Sequence, residues 1–114
     1  MWYINRMKMK NDWEKVVRSF IKNACDEGLV LFGASDGEER IQTTNAKEAA
    51  RHVCACDEGA LYFLDGEKRV AAYVVLGNEP FETIADYTVN EKLDRACEVF
   101  SSKWENRKTP QIAY

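Results

Sequence analysis

A five-residue block occurs twice in this chain, Ala24-Cys25-Asp26-Glu27-Gly28 and Ala55-Cys56-Asp57-Glu58-Gly59, and an Asp-Gly pair comes after each copy. The matching runs after it are Asp36-Gly37-Glu38-Glu39-Arg40-Ile41 and Asp65-Gly66-Glu67-Lys68-Arg69-Val70, and Phe32 and Phe63 each stand four residues after the block's glycine. Asp-Gly between apolar runs is the strongest short-range signal for a hairpin, because a tight turn there needs positive φ. The chain thus spells helix, strand, turn, strand twice, with the longer loop in the first hairpin. An internal αββ repeat accounts for this; so does independent reuse of glycine caps and Asp-Gly turns.

Helical periodicity fills in the rest. Trp13, Val16, Val17, Phe20, Ile21, Ala24 and Cys25 form one apolar stripe, predicting a first helix from about Asp12 to Glu27. Asn11 with Glu14 resembles a capping box at its start, and Gly28 is a natural stop. Asn45 and Glu48 open a second helix that carries Ala46, Ala49, Ala50, Val53 and Cys54 and is expected to end at Gly59. Thr88 and Glu91 open a third, with Val89, Leu93, Ala96, Cys97, Phe100 and Trp104 on one face. Strands are expected at 29–32, 38–43, 60–64 and 69–76. The predicted class is α+β, in the order α-β-β-α-β-β-α: a four-stranded, mainly antiparallel sheet packed with three helices on one face. Its other face must then be polar, self-paired or used for binding, and Tyr62 and Tyr73 are placed to line it. A homodimer is one such outcome.

At 114 residues, with 46% hydrophobic content, the chain has material for one core and not for two. Residues 1–10 are read as an N-terminal extension, 11–106 as one domain and 107–114 as a tail, and Met1, Met7 and Met9 leave the translation start open. The N-terminal run lacks the apolar stretch of a secretory signal, and with four cysteines this predicts free thiols in a reducing cytoplasm. No stretch approaches the ~20 apolar residues of a membrane span.

A net charge of −3 argues against nucleic-acid binding, which needs concentrated basic surface. The clustered basic residues lie at the ends, Arg6, Lys8 and Lys10, then Lys103, Arg107 and Lys108; an accessory role on nucleic acid through these segments is the second functional reading. His52, Cys54 and Cys56 offer donors for a metal, but a helix would aim Cys54 away from the face that His52 and Cys56 share, and zinc thiolates usually converge from turns. A small enzyme or metal protein around His52 and Cys56 is the third reading. No phosphate-cradling glycine pattern is present. The chain is accordingly expected to be neither enzyme nor cofactor protein.

The stretch from Gly77 to Thr88 carries Phe81, Ile84 and Tyr87 among Glu79, Glu82 and Asp86. It reads as a long loop that seals the core or contacts a partner; the candidate partner-binding residues are Asn78, Glu79, Phe81, Glu82, Asp86 and Tyr87. Gly66, Arg69, Val70, Leu76, Gly77, Asn78, Pro80, Glu82, Ile84, Asp86, Tyr87 and Thr88, with the earlier Asp36-Gly37-Glu38-Glu39, resemble a pattern in a group of small phage and prophage proteins. The resemblance covers about residues 25–88; this chain has Ala72-Tyr73 where the pattern tends to a Gly-Trp, and it runs on into a third helix. It implies a mobile-element setting and no particular chemistry. The first functional expectation is a non-enzymatic protein-binding module, of the kind that inhibits or modulates a host or defence protein.

Overall fold

The computed structural model describes residues 2–77 and 79–105, with side chains from residue 12 onward. The elements are α1 (Trp2–Asp26), β1 (Val30–Ser35), β2 (Arg40–Gln42), α2 (Ala46–Val53), β3 (Glu58–Asp65), β4 (Lys68–Val75), a 3-10 turn (Pro80–Glu82), β5 (Ile84–Tyr87) and α3 (Glu91–Glu105). The class is α+β with three helices, but the sheet has five strands in the order β2-β1-β3-β4-β5, and every pairing is antiparallel. The expected four-stranded sheet is corrected by β5, which forms inside the segment read as a loop. Pro80 and Thr83 are buried, and the Thr83 hydroxyl donates to the Pro80 carbonyl at 2.7 Å. That short turn reverses the chain, and Ile84–Tyr87 then pairs with β4.

The first helix begins at Trp2, ten residues before the expected start. Its C-terminus is as anticipated: Gly28 at φ 100° lets Leu29 N–H reach the Ala24 carbonyl and Gly28 N–H the Cys25 carbonyl, a Schellman arrangement. The second copy of the five-residue block behaves differently. α2 closes at Val53, Ala55 and Cys56 lie in the turn, and Glu58 and Gly59 already belong to β3, paired with Val75 and Val74. The same five letters end a helix once and begin a strand once. Cys25 and Cys56 are therefore not equivalent positions, and Cys25, expected in the apolar stripe, is exposed.

The Asp-Gly turns also differ. In the first, Asp36 Oδ1 accepts from the amides of Glu38 and Glu39 at 2.9 and 2.8 Å, and four residues separate the paired Ser35 and Arg40. In the second, Asp65 itself pairs with Lys68, so the turn residues are Gly66, at φ 64°, and Glu67. The third helix is capped by Asn90, whose side-chain oxygen accepts from the Lys92 and Leu93 amides, not by Thr88. Thr88 is occupied with β4, donating its N–H to the Ala71 carbonyl and accepting from the Ala71 N–H. Val89, expected in the third stripe, lies before the helix and is 96% exposed.

All three helices pack on one face. Phe20 of α1 meets Phe63 of β3 and Phe100 of α3 edge-on, at 6.2 and 5.6 Å between ring centroids, a favourable aromatic geometry. Around them Leu31, Leu61, Val70, Ala72, Val74, Val53 and Leu93 are buried. Trp104 closes the α1–α3 seam through a 2.8 Å bond from its indole N–H to Ser19 Oγ.

Candidate functional site

Strand side chains alternate between faces, so the residues between the core positions build the opposite face. A single cross-strand row runs over the whole sheet there: Arg40 pairs with Ser35, Ser35 with Ala60, Ala60 with Tyr73, and Tyr73 with Asp86. The next row holds Gln42, Gly33, Tyr62 and Ala71, and the next Val30, Leu64 and Arg69. None of Val30, Tyr62, Leu64 or Tyr73 belongs to the core cluster. Val30 and Tyr73 are 54% and 48% exposed, while Ala60 and Ala71 lie buried between larger neighbours. This is an apolar, aromatic surface of a kind that globular chains seldom leave unused.

A bulge between Leu31 and Gly33 adds a residue to β1 opposite Tyr62, and through it Phe32 joins the open face. Its ring lies 6.2 Å from that of Tyr62 at a tilt of 41°. Phe63, the supposed counterpart of Phe32 in the repeat, is fully buried on the other face; a bulge reverses the facing of the residues beyond it. The Arg40 guanidinium stacks on Tyr62, 4.6 Å from the ring centroid, a cation–π contact. By position, the charged groups of this face are Arg40, Arg69, Glu58 and Asp86, a balanced set.

The residues expected to bind a partner divide. Asp86 pairs with Tyr73 and lies on the open face. Tyr87 pairs with Ala72 and turns toward the helices, where its hydroxyl donates to Asp94 Oδ1 at 2.8 Å; that bond and burial push its phenol up to about 12. Burial likewise raises the neighbouring Cys97 thiol to about 11, so neither is a poised nucleophile at neutral pH. Glu79 and Glu82 are exposed and Phe81 half-buried at the 3-10 turn, and Asn78 lies outside the described residues. The structure thus puts Asp86 beside Tyr73 on the face that also carries Tyr62, and Tyr87 on the opposite face. Sequence reasoning misses Phe32, Arg40 and Val30; only the bulge and the β1–β2 register place them there.

His52 finds different neighbours from those its sequence suggests. Asp36, Glu39 and His52 bring three donor atoms within 4.8 Å of one another, and Cys56 is not among them. His52 Nε2 lies 2.9 Å from the Glu39 carbonyl oxygen, which can only accept, so that nitrogen carries a proton. Asp36 is held below the usual carboxylate range chiefly by the Glu39 amide, then by that of Glu38. These contacts fasten the first hairpin to α2. At the sheet's other end, Asp65 accepts from Lys92 Nζ at 2.7 Å and Asn90 Nδ2 at 2.9 Å, which fastens the second hairpin to α3 and lowers its carboxyl too. Among the described residues no helix is long and apolar enough to cross a membrane. No protein-family model, curated protein or solved structure matches the chain.

Proposed function

We propose that this chain is a non-enzymatic protein-binding module whose contact surface is the open face of the sheet. The observation that carries the reading is the set of half-exposed apolar and aromatic residues, Val30, Phe32, Tyr62 and Tyr73, on the face that the helices leave bare. Aromatic residues with arginine at the centre and charges at the margin are the composition of protein interfaces. The resemblance of the Gly66–Thr88 segment to phage and prophage proteins supports the narrower form of the reading, an inhibitor or modulator of a host or defence protein acting in the cytoplasm.

Aromatic side chains on an antiparallel sheet also favour a second reading, a platform on which bases of single-stranded nucleic acid stack. Two features weigh against it. Arg40 already covers a face of the Tyr62 ring, and the acids Glu58 and Asp86 offset the face's two arginines, leaving no excess charge for phosphates. Of the basic terminal residues, only Lys103 has a described side chain, and it lies 5.4 Å from the Trp104 ring.

The test is a paired capture experiment with the wild-type chain and Tyr73→Arg, both checked for native circular dichroism. The wild type should retain a stoichiometric protein partner, from host lysate or as added purified chain, and Tyr73→Arg should lose it. Equal retention by both would remove the open face as the contact surface. Salt-sensitive retention of single-stranded RNA by the wild type, lost in Tyr73→Arg, would favour the platform instead.

A further inference from the structure

We infer that the occupant of the open face is a second copy of this chain, in a face-to-face dimer whose two-fold axis runs along β3. The inference rests on the reading of that face as a protein-binding surface and names its partner.

One row of the face is complementary to itself in charge. β3 is the middle strand of five. A two-fold axis lying in the interface along β3 sets β2 of one copy over β5 of the other and β1 over β4. It also keeps the strands of both sheets roughly aligned, as sandwich packing requires. In the row across the sheet, Arg40 stands at the β2 end and Asp86 at the β5 end. By strand position the operation sets Arg40 opposite the other copy's Asp86, twice; to meet it the guanidinium leaves the Tyr62 ring, on which it stacks in the single chain. Within that row it lays Tyr73 over Ser35, a large side chain over a small one, and brings Ala60 onto Ala60 at the axis. In the next row Gly33 meets Ala71, two small residues, and Tyr62 meets its own copy on the axis. Opposite charges meet at Arg40 and Asp86 and a large residue meets a small one at Tyr73 and Ser35, whereas Glu58 and Tyr62 of β3 each face their own copy at the axis.

Size sets the expected strength. Four gaps of about 4.8 Å across the strands and eight residues of about 3.3 Å along β3 give roughly 19 by 26 Å, or about 500 Å² in outline. A standard interface buries about 800 Å² per partner. The dimer is therefore weak and concentration-dependent.

The experiment is sedimentation of the full chain over about 5–500 µM, with Arg40→Asp, Asp86→Arg and an equimolar mixture of the two. The wild type should move from monomer toward dimer in this range. Each single variant opposes like charges at both contacts and should dimerise at least about tenfold more weakly. The mixture should restore association as a one-to-one heterodimer, because both contacts between positions 40 and 86 are again between opposite charges. Restoration also shows that both variants are folded. A wild type that stays monomeric at the highest concentration overturns the dimer; the protein-binding reading then stands or falls separately on whether Tyr73→Arg loses its captured partner. A dimer that survives both single variants, or a mixture that fails to associate, places the contact elsewhere and equally overturns the proposal.

Discussion

Phe63 and Tyr62 are adjacent in β3, yet they belong to different problems. Phe63 is fully buried between α1 and the sheet, with the Phe20 ring edge-on to it. Tyr62 is only half-buried on the far side, touched by Phe32 and Arg40. One face of this sheet is held by helices and carries the stability of the fold; the other sets exposed apolar and aromatic residues among charged ones, without a cover. That contrast says where to look for function in a chain with few chemically active groups. Residues that pack like a core but do not serve one are the residues with another use.

The sharpest way to break the contrast is to truncate each partner. Phe63→Ala should cost about 3–5 kcal/mol, as loss of a buried aromatic ring does, and Tyr62→Ala no more than about 1 kcal/mol, both read from urea unfolding midpoints below about 5 µM protein. Equal costs would mean that the open face also belongs to the monomer's core.

Much of this division is legible in the sequence, and the losses have definite causes. The stripes of α2 and α3 appear because a 3.6-residue period survives in Ala49, Ala50 and Val53 and in Leu93, Ala96 and Phe100, all buried. Strict alternation alone places Tyr62 and Tyr73 on the open face. Phe32 escapes it because a bulge cannot be seen in residue types. β5 escapes because a four-residue edge strand, half polar, carries too little pattern to stand out from a loop. Asn90 and Thr88 are both cap-forming residue types, with Asn the better, and Ala71 removes Thr88 by engaging both its N–H and its hydroxyl. The duplicated five-residue block misleads most, because its glycines serve different ends: Gly28 supplies a positive φ, and Gly59 supplies room.

That room gives a second test on the covered side. A Cβ on Gly59 would run into the Ser35 carbonyl oxygen, while one on Gly66 would meet nothing within 4 Å. Gly59→Ala should cost about 1–3 kcal/mol, because two strand backbones must separate. Gly66→Ala should cost about 1 kcal/mol, from its left-handed backbone alone. Thermal melts of the two variants decide the order, and a reversal would show that β1 and β3 yield easily at Ser35.

Asp65 tests how the covered side is tied to α3. Lys92 and then Asn90 hold its carboxyl below the ordinary value. A carboxyl lowered in the folded state stabilises above its unfolded value, near 3.8, and loses that contribution as pH falls through the folded value. Asp65→Asn should therefore melt below the wild type at pH 7, and the gap should close as pH falls from the ordinary value near 3.8 through the lowered one. A gap independent of pH would assign the effect to packing. Asp36 titrates in the same direction at the other hairpin, so the comparison must be made between variants and not from the wild-type curve.

The smallest effect is expected at β5, where adjacent residues serve the two faces. Tyr87 donates to Asp94 of α3, and Tyr87→Phe should cost about 0.5–1.5 kcal/mol, the net worth of one such bond. Asp86 lies on the open face and accepts only from its neighbour's amide among the described residues. Asparagine keeps that acceptor, so Asp86→Asn should stay within about 0.5 kcal/mol of the wild type and alter association alone. The tyrosine also has a signature of its own. Its phenol is raised to about 12 in the folded chain against an ordinary value of 10.0, so its contribution is complete below about pH 10 and disappears as pH rises toward about 12. An ultraviolet titration should show one tyrosine ionising late, and that step should vanish in Tyr87→Phe but persist in Asp86→Asn. If both variants keep the late step, a different tyrosine is responsible, and the division between the two faces does not extend to this edge of the sheet.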